Sequence, residues 1–166
     1  MTDGTKMPLR PCGDCTACCE GWLFSHTLDL KPGKPCQNCT KSGCAIYAER
    51  PQDPCRDFTC AWVHPESGLP DDMRPDRCGA IVKWNYRWNL WKSVAALPVG
   101  SAIPEDTLKR LIEHAKERAQ PIIFLEHEFS DGQYVRSQQF ATGPVEFIAE
   151  AKESLKLEDI WKSESG

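Results

Sequence analysis

Cysteines are the residues of this chain whose number and spacing point most directly to chemistry. Nine of the ten cysteines lie between residues 12 and 60, and the stretch PCGDCTACCE at residues 11–20 contains four of them. Thiolates can bind zinc or iron–sulfur clusters, and they can also form disulfides or catalytic redox pairs. The spacing and the surrounding composition favour one of these chemistries over the others.

The spacing of the cysteines is typical of metal ligands. Cys12 and Cys15, Cys15 and Cys18, and Cys36 and Cys39 are each separated by two residues, a gap that lets one tight turn direct two thiolates at a single ion. The candidate metal ligands are Cys12, Cys15, Cys18, Cys19, Cys36, Cys39, Cys44, Cys55 and Cys60. These nine cysteines are enough for two tetrahedral all-thiolate sites that share no ligand.

The composition of residues 12–60 explains why a metal is needed. Large apolar residues are few there, and prolines and glycines interrupt every helix or strand pattern. The first residues, MTDGTKMPLRP, contain no apolar stretch of the kind found in secretory signals. We therefore expect a cytoplasmic protein with reduced thiols, in which a bound metal takes the place of disulfides as the cross-link.

Cys18 and Cys19 are adjacent, which restricts how they can be used. Neighbouring side chains in an extended segment point to opposite sides, so we expect them to face two different metals, or only one of them to be a ligand. His26 and His64 could each replace a thiolate, but nine cysteines make neither necessary, and we leave both histidines out of the ligand set.

Zinc is the metal that this pattern favours, because paired Cys-x-x-Cys motifs commonly build structural zinc sites. An iron–sulfur cluster, or iron alone, is the alternative, since Cys12, Cys15 and Cys18 also have the spacing of a ferredoxin-like cluster motif. The Cys-Pro that would complete the ferredoxin motif is absent, and Cys19 stands in its place. Disulfides become relevant only if the protein is exported.

Two stretches together resemble a known family. CGDCTACC, followed by CQNCTKSGCAIYAERPQDPCRDFTCAW and LPDDMRPDRC, is similar to the CxxCxxCC (YkgJ-type) cysteine-cluster proteins, described as zinc- or iron-chelating, over about residues 9–79. The resemblance implies a bacterial, cytoplasmic metal-binding protein and supplies no reaction. The ligand-type cysteines of the family correspond to Cys12, Cys15, Cys18, Cys19, Cys44, Cys55 and Cys60. PQDPC has one residue more before its cysteine than the family pattern.

The second half of the chain predicts an α+β unit. Residues 80–90 alternate in polarity, which predicts a strand bent into a hairpin near residues 85–87, and residues 104–121 carry the signals of an amphipathic helix. Residues 122–129 and 133–140 form a second strand pair around an Asp-Gly turn, and a second helix starts at Pro144. We expect a cysteine-rich metal-stapled module at 9–79, packed on an α+β module at 80–162. The latter should be a small, mostly antiparallel sheet with both helices on one face.

Charge and motifs limit the remaining function classes. A net charge of −4 makes nucleic acid an unlikely partner, although Lys83, Arg87 and Lys92 interleave with tryptophans that we assign to the core. No apolar run is long enough to cross a membrane, and an unknown protein partner is left open. No catalytic motif occurs, so enzymatic activity is not predicted, and His127 alone is a weak candidate. Cys78, outside the cluster, is expected to be a buried small apolar residue.

Overall fold

The computed structural model describes residues 10, 15–22, 32–41, 43–52, 60–88 and 90–155. A π-helical turn spans Cys18–Trp22, and the hairpin strands β1 (Cys39–Thr40) and β2 (Gly43–Cys44) follow. Short 3₁₀ turns at Tyr47–Glu49, Ala61–Val63, Pro65–Ser67 and Asp71–Met73 lead to helix α1, Pro75–Cys78. The remaining elements are β3 (Ala80–Trp88), β4 (Trp91–Pro98), α2 (Glu105–Glu117), β5 (Ile122–Ser130), β6 (Gln133–Thr142) and α3 (Val145–Leu155). None of the helices in these ranges is long and apolar enough to cross a membrane.

The main sheet has four strands in the order β3-β4-β5-β6. The outer pairs are antiparallel hairpins, whereas β4 and β5 run parallel. Parallel neighbours need a long connection, and α2 supplies it by crossing over between the two strands. The protein is therefore α+β with a mostly antiparallel sheet, which confirms the predicted fold class.

The turn of the first hairpin lies further along the chain than predicted. A bend near residues 85–87 was expected, but β3 continues to Trp88 and β4 begins only at Trp91. The ladder pairs Lys83 with Ala95 and then Tyr86 with Ser93, so β3 contains one extra residue in a bulge. A bulge reverses the side-chain alternation, and a sequence pattern cannot readily distinguish that reversal from the end of a strand. The second turn, at Asp131-Gly132, is where it was predicted, and Asp131 has a left-handed φ of 52°.

The helices lie on opposite faces of the sheet, so the prediction of a single helical face is wrong. Leu111 and Ala115 of α2 share a buried cluster with Val94 and Phe124. Phe147 of α3 belongs to a different cluster. That cluster includes Ile123, the residue immediately before Phe124. Successive residues of a strand face opposite sides of the sheet. The β4–β5 and β5–β6 pairs carry apolar residues on both faces, so each face is covered by its own helix.

The segments before β3 cover parts of the sheet that α2 and α3 leave uncovered. Residues 60–78 add Ala61, Trp62 and Met73 to the α2 face, where Cys78 is also buried as expected. On the other face, Ala17 packs on Ile81 with the side chains of a few neighbours. The chain before β3 therefore contributes to both layers of the core.

Candidate metal centre

The β1–β2 hairpin brings two predicted ligands together. Cys39 and Cys44 are directly opposite each other in the ladder, and Thr40 pairs with Gly43. The Ala45 N–H donates to the Asn38 carbonyl at 2.8 Å, which extends the pairing by one position. Directly opposite residues of an antiparallel pair have Cβ atoms about 4.5–5.5 Å apart, so the backbone holds these two thiols as neighbours.

Cys36 enters the same hairpin through a tight turn. The Cys39 N–H donates to the Cys36 carbonyl at 3.0 Å, and the Asn38 N–H donates to Cys36 Sγ at 3.4 Å. Cys36 is buried. Residues 36–39 thus form a tight turn that carries the thiols of Cys36 and Cys39.

Cys19 joins this hairpin from the π-helical turn. The Cys36 N–H donates to the Cys19 carbonyl at 2.7 Å, and the Cys19 and Cys39 side chains are hydrogen-bonded. Burial raises the pKa of the Cys39 thiol, and the Glu20 carboxylate and the Cys36 and Cys44 thiols raise that pKa further. Four cysteines from two chain segments thus lie in one neighbourhood, which we call the hairpin cluster: Cys19, Cys36, Cys39 and Cys44.

Cys18 and Cys15 lie in a different environment. Both pack against the buried pair Ala17 and Ile81, on the face of the sheet opposite α2. Cys18 and its neighbour Cys19 therefore have different surroundings, although they are in a helical turn and not in the extended segment that was expected.

Cys15 is also tied to an ion pair. Its thiol is hydrogen-bonded to the Asp76 carboxylate, and that carboxylate accepts two hydrogen bonds from the Arg74 guanidinium, both at 2.5 Å. Burial raises the pKa of the Cys15 thiol. The link joins the first cysteine cluster to helix α1.

The remaining predicted ligands are apart from these groups or cannot be placed. Cys60 packs against the core on the α2 face. Cys12 and Cys55 lie outside the described residues, as does His26. His64 lies 3.8 Å from Glu66 through Nδ1, and its ring is near Trp84. Within the described ranges, no three Cys, His, Asp or Glu side chains are already arranged to hold an ion.

These findings define how well the chain fits a thiolate-bound metal. The donor set and the fold of the hairpin cluster suit a soft tetrahedral ion, because four thiols lie around one small hairpin. The side chains themselves would have to draw together around the ion. The free energy of thiolate ligation would have to exceed the cost of that rearrangement.

A buried histidine anchors the cysteine segment to the sheet. The ring of His127, on β5, stacks on Trp22 with 6.4 Å between ring centroids and 13° between planes. Its Nδ1 shares a hydrogen bond of 2.7 Å with Ser137 Oγ, which is itself 2.7 Å from the Tyr134 hydroxyl. Burial lowers the pKa of His127. These partners of His127 could not be identified from the sequence, because Trp22 is distant in the chain and Ser137 and Tyr134 lie on the next strand.

Comparisons with family models, curated proteins and solved structures gave no match to this chain. The resemblance to the CxxCxxCC proteins over residues 9–79 therefore stays a prediction from the sequence.

Proposed function

We propose that the chain is a metal-binding protein that holds zinc in all-thiolate sites, with two ions as the expected content. The observation that carries the proposal is the hairpin cluster, in which Cys39 and Cys44 are cross-strand partners and Cys19 and Cys36 reach them through backbone and side-chain hydrogen bonds. Four thiolates are the full ligand set of a structural zinc site.

A second ion would use the thiols that face away from this hairpin. Cys15 and Cys18 lie together on the Ala17–Ile81 cluster, and Cys12, Cys55 and Cys60 supply the further predicted ligands. Separate environments for Cys18 and Cys19 support two sites over one. The metal would be structural or sequestered, since it cross-links segments with little core of their own.

The motif likeness adds a family and a compartment to this proposal. Membership of the CxxCxxCC family and a bacterial cytoplasmic location agree with ten cysteines and with a reducing environment. No reaction is proposed. An iron–sulfur cluster serving a redox or radical-type enzyme subunit is the competing function, and the Cys-x-x-Cys-x-x-Cys spacing favours it.

Elemental analysis with a visible spectrum, on protein purified anaerobically without added metal, tests the proposal. We expect colourless protein with about two zinc ions per chain. Cys44→Ser should lose about one zinc ion, since it removes one of four ligands. Cys78→Ser, the same chemical change at a buried core position, should keep the full content. Brown protein with iron and acid-labile sulfide would overturn the zinc assignment, and equal metal content in both variants would overturn the site.

A further inference from the structure

A cleft distant from the cysteines lies at the end of the β3–β4 hairpin. Its volume is about 390 Å³, and it opens between this hairpin and the turn that connects α2 to β5. This volume is in the lower part of the range of small-ligand sites, roughly 300–1,000 Å³. The side chains that line it include Arg87, Lys92 and Arg118, together with Trp91 and Leu90. None of the lining residues that the structure describes carries a carboxylate.

Two of the three cationic side chains lie where their charges destabilise the folded state. Arg87 and Lys92 are direct cross-strand partners in the ladder. Like charges in opposite positions destabilise an antiparallel pair. Both residues are exposed, and no ion pair with an acidic residue involves either of them in the described part of the chain. Among the described residues, no acidic side chain offsets this pair of charges, and a bound anion would do so.

The third cation is held in a fixed position. Arg118 Nη2 donates to the Glu66 carbonyl at 2.6 Å, and the guanidinium lies 5.2 Å from the centroid of the Trp84 ring. The anchoring carbonyl is neutral, so Arg118, which also lines the cleft, keeps its positive charge uncompensated by this contact. A guanidinium held by packing loses little entropy when it binds an anion.

The last turn of α2, beside the cleft, is closed by backbone hydrogen bonds. The N–H groups of Ala119 and Gln120 donate to the Lys116 and Ala115 carbonyls at 3.0 and 2.8 Å. These bonds satisfy two of the carbonyl groups at the C-terminal end of α2. Glu150 accepts a hydrogen bond of 3.0 Å from the Trp91 indole and does not line the cleft.

We propose that this cleft binds a small phosphate-bearing molecule, whose phosphoryl oxygens are held by Arg87, Lys92 and Arg118. Two guanidinium groups and an ammonium are the set that proteins use for phosphate, since planar guanidinium groups bind its oxygens in pairs. The limited volume of the cleft and the negative net charge of the chain favour a small ligand over a polyanion such as nucleic acid. The site is independent of the proposed metal centre.

Isothermal titration of the full metal-loaded chain at low salt tests this site with pyrophosphate and AMP as probes. We expect saturable binding of one ligand per chain, and Lys92→Gln should weaken it tenfold or more. Lys109→Gln changes the net charge equally on the exposed surface of α2, where it removes only a pair with Glu105, and should leave the affinity unchanged within twofold. If pyrophosphate chelates the bound metal, that heat should be the same in both variants. The difference between their binding heats therefore reports binding in the cleft.

A second readout distinguishes a binding role from a structural one. Because Lys92→Gln removes a like-charge pair, its midpoint of thermal unfolding without ligand should be equal to or above that of the unaltered chain. A lowered midpoint with lost binding, equal weakening by Lys109→Gln, or no saturable heat would overturn the proposal. If citrate binds as tightly as pyrophosphate, the assignment to phosphate is wrong. If a single-stranded oligonucleotide binds more tightly than either probe and Lys92→Gln abolishes that binding, the assignment to a small ligand is wrong.

Discussion

Ala119 adopts a backbone conformation that favours glycine. Its φ is 54°, just past the end of α2, where the chain closes the last turn of the helix. A non-glycine residue in the left-handed region destabilises the folded state by about 1–2 kcal/mol. Glycine avoids this strain, but its more flexible unfolded state offsets part of the gain. We expect Ala119→Gly to raise the free energy of unfolding by about 0.5–1 kcal/mol, measured by urea denaturation.

The matched control is the same substitution one helical turn earlier. Ala115→Gly removes a buried methyl from a right-handed helical position, so it should lower the free energy of unfolding by about 1 kcal/mol or more. Equal signs for the two substitutions would contradict the role assigned to Ala119.

His127 makes the stability depend on pH. Because burial lowers its pKa below the unfolded value of about 6.5, the unfolded state binds the proton more readily. Its contribution to stability is present above the unfolded pKa and is lost as the pH falls towards the folded pKa. Denaturation between pH 8 and 5 should show this loss, at most about 1.4 kcal/mol per pH unit.

His127→Phe keeps a ring against Trp22 and removes the proton-binding group, so the slope in this pH range should flatten. His114→Gln leaves His127 in place and should retain the slope. A slope that persists in His127→Phe would assign the pH dependence to other groups.

At the scale of elements, helix α1 depends on a half-buried ion pair. Arg74 is only 9% exposed, and its guanidinium donates two hydrogen bonds to the Asp76 carboxylate. The same carboxylate is hydrogen-bonded to Cys15. Hydrogen bonding and charge from Arg74 lower the pKa of Asp76. The stabilisation is therefore complete above the unfolded pKa of about 3.9 and is lost as the pH falls through the folded value.

We expect Asp76→Asn to lower the free energy of unfolding at pH 7 by about 1–2 kcal/mol, the lower part of the range for charged hydrogen bonds, because Asp76 is partly exposed. Asp72→Asn breaks a similar bidentate pair with Arg110 at the surface and should cost less. Chemical denaturation of both variants at pH 7 measures the difference, and an equal loss would mean that burial of Arg74 has no effect.

At the scale of the whole molecule, removal of metal should affect two regions unequally. The core on the α2 face includes Phe124, Leu111 and Met73 and none of the hairpin-cluster cysteines, so we expect it to stay folded without a metal. Residues 15–22 and 32–52 rest on the hairpin cluster and on a few contacts such as Trp22 with His127. After chelation, hydrogen exchange should become fast in these segments while the amides of β4 and β5 stay protected. Loss of protection throughout the sheet would show that the metal supports the entire fold.

Much of the architecture could be predicted, because local patterns determine it. The second hairpin and the approximate extents of both long helices follow from apolar periodicity, the Asp131-Gly132 turn and the prolines. The bulge in β3 and the faces on which the helices pack could not be predicted. Both depend on which residues meet across the sheet, and a periodic pattern is the same whichever layer covers it.

The same distinction holds for the candidate sites. By itself the sequence determined the donor groups, nine clustered cysteines with tight-turn spacing, from which we predict soft-metal ligation. Only the tertiary structure decided that Cys19 joins the Cys36–Cys44 hairpin while Cys18 packs on Ile81, and that Arg87, Lys92 and Arg118 line one cleft. The physical reason is that ligand type is a property of each side chain, whereas grouping arises from contacts between segments far apart in the chain.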